Sequence, residues 1–294
     1  MSCASKYDRP GLTAFLSLFI SFSPAFSAGP ESADSSSQIP FRIEHADVFQ
    51  QKRDSTGAQY YLLQGEVDIA RGESRILCGS LSYFPASGYF LCLDSVHLSD
   101  PERDLRSDSL LYYVDREYYR AAGSVRWASR GVSGSGRIGE YFRDRGLMRL
   151  EGEAEARDSL RRIDADVLEY ESTAEVLRAL GDVRMLEYGS RSTARSASAV
   201  YGRDKGTAVL TGRPEIIYYE KGDSVSPYHL VSDLLRRFGP DSIVAVGRVR
   251  LWRDSLTVTS DSLFHNLGPG ISYFRGGPPL VQDPKFNQIG RAHV

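Results

Sequence analysis

Eight anchor positions at near-constant spacing constrain this chain more than any other feature: Gly65, Asp94, Gly123, Gly152, Gly181, Gly212, Gly247 and Gly276 are separated by 29, 29, 29, 29, 31, 35 and 29 residues. A period of that length marks one supersecondary unit used repeatedly, with each copy burying its apolar face against the next. Only the two longer spacings need loop insertions. Around the anchors the side chains alternate with period two. Two residues on stand Val67, Val96, Val125, Ala154, Val183 and Val249, and four on stand Ile69, Leu98, Trp127, Ala156, Met185 and Leu251. The same parity continues backwards through Leu63, Cys92, Ala121, Leu150, Ala179 and Ala245. Alternation puts these side chains on one face of a strand, roughly 30 Å long at about 3.3 Å per residue. A helix would need apolar residues at i+3 and i+4, which are missing.

A second strand follows in each unit, and its parity changes midway. Ile163 and Ala165 share one phase while Leu168 and Tyr170 share the other; Ile76 and Cys78 likewise precede Leu81 and Tyr83. Keeping one face apolar across that change requires an extra residue, so a β-bulge or bend is predicted where Asp108, Asp166 and Asp261 recur. One aspartate per unit beside a bulge is read as bonding its own backbone. About fifteen strands joined by polar turns such as PASG result. A two-stranded unit with one apolar face cannot bury it alone, so the expected fold is all-β, an elongated stack of two facing sheets closing over a shared interior. Small inward residues (Ala121, Ala154, Ala156, Ala179, Ala245) would leave room between the sheets. The alternation suits a hollow or a filled interior equally.

The first 28 residues read as a secretory signal, cleaved near residue 27 or 28: a basic start at Lys6 and Arg9, an apolar run, then Pro24 and small residues. Residues 29–38 are a small, polar leader. The repeat domain is placed at 39–288, truncated in its eighth unit, and the final IGRAHV, 289–294, departs from the pattern and is excluded as a non-native tail. Net charge is −2, with 36 basic against 38 acidic side chains. No positive field holds a nucleic acid. Cys78 and Cys92 fall on adjacent strands of one unit, where a disulfide or two buried thiols are both open.

Enzyme chemistry finds little footing. A Gly-x-Gly-x-x-Gly match at Gly134, Gly136 and Gly139 lies in a strand slot with no helix after it, whereas a dinucleotide needs a helix amino terminus. His45, His97, His229 and His265 are scattered, read as surface or strand-end residues, and make no zinc site. No cofactor and no metal are expected, and the chain is read as a non-enzyme. Tyr83, Tyr112, Tyr141, Tyr170 and Tyr201 recur at one slot and are taken as interior or rim positions.

The stretches GEVDIARGESRILCGSLSYF, IDADVLEYESTAEVLRALGDV and FRIEHADVFQ are similar to the OstA/LptA-like family of lipopolysaccharide-transport proteins. Its hallmark is a Gly-x-Val strand, an Ile-x-Ala-Asp-x-x-x-Tyr strand and a return; Ala46 and Asp47 occupy the Ala-Asp slot of an opening half-unit. The resemblance covers residues 39 to about 281. It implies a periplasmic β-jelly roll, open at both ends, whose apolar lumen shields lipopolysaccharide acyl chains. Its partners would be that lipid, an inner-membrane anchor protein and an outer-membrane translocon, or other copies of itself joined end to end by strand addition. The candidate lumen is Val67, Ile69, Leu81, Val96, Val125, Trp127, Ala154, Ala156, Val183, Met185, Val249 and Leu251. Asp94 departs from the anchor glycine, and SGSGRIGEY replaces the Ala-Asp element of unit three. The chain could instead be the amino-terminal part of such a translocon, or a structural or adhesive repeat protein with a filled core.

Overall fold

The computed structural model describes residues 41–188, 191–202, 205–219, 225–238, 242–266, 271–276 and 280–282. The expected signal, leader and tail lie outside them. Among the described residues the protein is built of β-strands and tight turns, with one 3-10 turn at Arg143–Arg145. This is the all-β class the alternation requires. The described residues form two compact units, one within 41–159 and 164–175, the other within 160–163 and 176–282.

In the first unit β1 (Arg42–His45), β2 (Val48–Arg53), β3 (Gln59–Arg71), β4 (Ser74–Phe84), β5 (Tyr89–Asp100), β6 (Arg103–Tyr113), β7 (Tyr118–Ser129), β8 (Val132–Phe142), β9 (Leu147–Arg157) and β10 (Arg161–Glu171) run as an antiparallel meander. The strands reach 11 to 13 residues from β3 onward, longer than the nine the anchors imply. From β3 to β9 the extra residue lies on the anchor strand: Gly65 and Glu66 of β3 oppose Gly79 of β4 between the pairs Gln64–Ser80 and Val67–Cys78, and three residues of β5 oppose two of β4 between the pairs Leu77–His97 and Ser80–Leu93. The irregularity predicted in the second strand is therefore at the expected level, but the bulged residue belongs to the anchor opposite it, where the unbroken alternation conceals it.

Two successive left-handed residues make each anchor bulge. Gly65 has φ +77° and Glu66 +43°; Gly123 has +77° and Ser124 +46°. Glycine takes this conformation without a Cβ penalty. The recurring aspartate does not fold back on its own main chain as expected. It lies across the strand, so that a Cβ on Gly65 would meet Asp47 Oδ2 at 2.0 Å and one on Gly123 would meet Asp108 Oδ2 at 2.2 Å. Asp233 packs on Gly247 and Asp261 on Gly276 in the same manner. Unit two, where Asp94 takes the anchor position at φ +68°, is the inversion of this pair: its preceding strand carries Gly79 where Asp47, Asp108, Asp233 and Asp261 stand in the pairs above, while Arg137 and Ala197 take that place against Gly152 and Gly212.

The bends fold each strand of the first unit so that its two halves face one another. Leu150 demonstrates this: its side chain lies against both Gly139, one strand over on its own half, and Gly134 on the other half. The opening half-unit fits as the sequence implies, β1 pairing with the far half of β3 and β2 with the near half, on either side of Ala46 and Asp47. Gly134, Gly136 and Gly139 sit within β8, with no helix following. Gly134 and Gly139 admit Leu150, Val125 and Met148 to the interior, and Gly136 admits the main chain at Glu151.

The second unit continues with β11 (Val176–Glu187), β12 (Thr193–Gly202), β13 (Thr207–Thr211), β14 (Glu215–Tyr218), β15 (Tyr228–Val231), β16 (Leu234–Phe238), β17 (Ser242–Arg253), β18 (Leu256–Asn266), β19 (Ile271–Arg275) and β20 (Leu280–Gln282). Here the anchor bulges cut long strands in two. β12 pairs with β13 along one half and β14 along the other, around Gly212. β17 is flanked likewise by β16 and β15.

Candidate functional site

All twelve expected lumen residues face inward. In the first unit Val67, Leu81, Val96, Val125 and Ala154 retain about 1% of their surface, and Ile69, Trp127 and Ala156 are also buried. In the second unit Val183, Met185, Val249 and Leu251 are buried. The inner wall is thus apolar at these positions, and in the second unit it is interrupted by buried polar groups, Arg237 and His265 among them. It is also closed. Ala121 and Ala179 are small yet fully covered, so no water-sized space remains beside them. Leu110 and Gly139 stand opposite Ala121 on the neighbouring strands, and large residues fill the room that the alanines leave. A groove of about 470 Å³ in the second unit is lined by Val244, Phe264 and Tyr273, a cross-strand row on the outer side of the sheet.

Cys78 and Cys92 are buried thiols, not a disulfide. They contact each other: a hydrogen bond from Cys92 lowers the Cys78 pKa, and the same contact with burial raises that of Cys92. His97 pairs with Asp104 and His229 stacks on Trp252 at 4.7 Å. His265 corrects the surface reading of the histidines. It keeps 1% of its surface, its Nδ1 lies 2.8 Å from Ser272 Oγ, and burial lowers its pKa to about 4. Among the described residues no cluster of three metal-ligating side chains occurs.

The recurring tyrosines occupy the rim of the fold. Opposite the bends, the ends of the two facing halves meet along a seam, and there Tyr112, Tyr141, Tyr170 and Tyr201 are each covered by a residue from the preceding repeat. Arg71 Nη1 lies 3.4 Å from the Tyr112 hydroxyl. The Arg103 guanidinium sits 4.7 Å over the Tyr141 ring, and Trp127 reaches Tyr170 at 6.0 Å. The second unit repeats the device with Arg161, 4.8 Å over Tyr201. Phe41 bridges the same seam, touching Phe90 at 4.7 Å and taking Arg71 over its ring at 5.1 Å.

The cations are held in charged company. Arg103 pairs with Asp100 at 2.8 Å, and Glu117 lies 3.9 Å from Arg71 and 3.1 Å from Arg143. Burial works against the Arg103 charge, but Tyr141, Asp100 and Tyr119 outweigh it and its pKa rises. Burial raises the Tyr112 and Tyr141 hydroxyl pKa values. A desolvated guanidinium over a tyrosine face is worth about 1–2 kcal/mol. None of these arginines stood out in the sequence. Their one signal is placement beside the turn, Arg71 six residues after an anchor and Arg103 and Arg161 nine after.

A second aromatic set braces the same strand ends on the outer face. Tyr60, Phe84, Tyr89, Tyr113, Tyr118 and Phe142 form an unbroken cross-strand run with centroid separations of 5.1, 4.8, 5.6, 5.9 and 5.0 Å. Their faces are spent on one another, as suits sheet stabilisation.

No family model matches this chain, and no curated protein does. Among solved structures it is similar to LptH, the LptA homologous periplasmic component of the lipopolysaccharide transport device of Pseudomonas aeruginosa. Identity is 14%, the match covers 50% of this chain and 87% of that one, and the TM-score is 0.23. A likeness of that size carries no argument about function.

Proposed function

We propose that the protein is a non-enzymatic periplasmic lipid carrier of the lipopolysaccharide-export type, holding acyl chains between the facing halves of its strands. The observation that carries this reading is the apolar inner wall, on which Val67, Ile69, Leu81, Val96, Val125, Trp127, Ala154 and Ala156 follow one another through the first unit. Covering acyl chains with such a wall is favourable by about 25 cal/mol per Å² of apolar surface removed from water. The register of the repeat with the OstA/LptA-like pattern supports it further. Since the wall is closed, a chain enters only if the facing halves part. The outer edge of β2, unpaired among the described residues, offers strand addition to another copy or to a neighbouring transport component.

The closed interior specifically favours a second reading, a structural repeat whose filled core binds nothing. One titration separates the two. cis-Parinaric acid added to the folded chain should show saturable fluorescence enhancement, displaced by lipopolysaccharide and weakened in Ala154→Trp and Ala179→Trp variants that retain their β-sheet circular dichroism. A folded protein with no saturable signal would be the scaffold.

A further inference from the structure

Strands β3 to β9 of the first unit cross the bend covalently, and their ladder hydrogen bonds continue on both sides of it. The seam opposite is different in kind. Side chains close it: Phe41 on Phe90, Arg71 on Tyr112, Arg103 on Tyr141 and Trp127 on Tyr170. The loop hydrogen bonds at this rim, Val114 N–H to Gly88 C=O and Ser172 N–H to Gly146 C=O, run along one side of the seam. Parting the halves at the bend would break backbone ladders, whereas parting them at the seam exchanges ring and guanidinium contacts for water. Behind the seam the next layer inward is the apolar wall. Tyr119 is buried there, with a hydroxyl that has no hydrogen-bond partner.

We infer that acyl chains load sideways through this seam, with the Arg71–Tyr112 and Arg103–Tyr141 contacts as its latches. The inference rests on the lipid-carrier reading and deepens it by naming the route. Three features fit. Each latch joins one 29-residue repeat to the next within the first unit, so the latches lie in series along the seam. The latching groups are amphipathic, and an opened arginine or tyrosine can turn its polar end to water while its stem stays on apolar surface. A lateral route also leaves a bulky polar headgroup in water throughout, so the lipid class it suits has a large head that is never threaded through an end.

The test is a reversible bridge across one latch. In the full chain with Cys3→Ser, Cys78→Ala and Cys92→Ala, the pair Arg103→Cys and Tyr141→Cys is joined by a bis-maleimide with a reducible centre, and uptake of cis-parinaric acid is followed by stopped flow. The bridged protein should load at least about tenfold more slowly than the same protein unbridged, and reduction should restore the rate. Equal rates, with the unbridged protein binding normally, would overturn the seam and leave the carrier standing. No binding by unbridged or wild-type protein would remove both. Arg103→Met, which keeps the packing stem and removes the charge, should speed loading several-fold in the wild-type background; an unchanged rate would also count against the latch.

Discussion

At single positions the bulge pair gives the most direct physical claim. Gly123 has φ +77°, and an added Cβ would overlap Asp108 Oδ2 at 2.2 Å. Gly123→Ala therefore combines left-handed strain with a steric clash and should cost about 2–4 kcal/mol in urea unfolding. Part of that loss should return in Asp108→Ala/Gly123→Ala, since the cycle isolates the clash from the backbone strain. The inverted pair makes a sharper case. Gly79→Asp alone sets two carboxylates together with Asp94, and Asp94→Gly alone leaves two facing glycines. Exchanging both restores the arrangement of Asp108 and Gly123, so the double variant should be more stable than Gly79→Asp; a double variant as unstable as that single one would refute the equivalence. His265 supplies a pH prediction. Its folded pKa of about 4 lies below the ordinary 6.5 because burial disfavours the imidazolium. The unfolded chain thus takes up the proton first, and stability is lost as pH falls from about 6.5 towards 4, by on the order of 2 kcal/mol. A His265→Gln variant should show a shallower loss over that window in chemical denaturation; parallel curves would assign the pH dependence to other groups.

Whole strands show which parts of the fold were legible in the sequence. Side-chain parity located β3 to β9 and the level of the bend in each second strand, because burial on one face leaves a period-two imprint. The anchor bulge left none. Gly65 and Glu66 add a residue to β3 while Leu63 and Val67 stay on one side, so the alternation reads as an uninterrupted strand. Strand ends were underestimated for a similar reason: the outer aromatic run, from Tyr60 to Phe142, has no counterpart in the inward pattern. β8 had looked like a lapse of the repeat because SGSGRIGEY lacks the Ala-Asp element, yet its glycines are complementary to Leu150. A Cβ on Gly134 would meet Leu150 Cδ1 at 2.6 Å, and one on Gly139 would meet Val125 Cγ1 at 2.9 Å. Gly134→Ala should cost about 1–3 kcal/mol by overpacking and be partly rescued by Leu150→Val. Thermal unfolding of the two single variants and the double variant would show it, and strict additivity would mean that Leu150 is not the group displaced.

On the carrier reading, the decisive tension lies between an apolar wall that acyl chains could lie against and an interior with no room left in it. Alternation could announce which side chains face inward, but not how far apart the facing halves stand, because inward residues obey the same parity in a full core and an empty one. Leu110 and Leu150 settle it for the unliganded first unit: they occupy the space beside Ala121 and Gly139. A lipid must then displace protein–protein contacts rather than enter an existing cavity, and its net affinity is what remains after the halves have been separated. This fixes the form of the response. Binding to the folded state alone adds RT ln(1 + [L]/Kd), about 2.7 kcal/mol at a hundredfold excess over Kd, whatever the route. The same occupancy, however, leaves the seam latched less of the time, so Tyr112 and Tyr141 should become more accessible as global stability rises. Saturating cis-parinaric acid should therefore raise the melting temperature while increasing iodination of these two tyrosines, read by peptide mass spectrometry. A preformed, rigid pocket would raise the melting temperature with less tyrosine labelling, and that pairing of results would contradict an interior opened by its ligand.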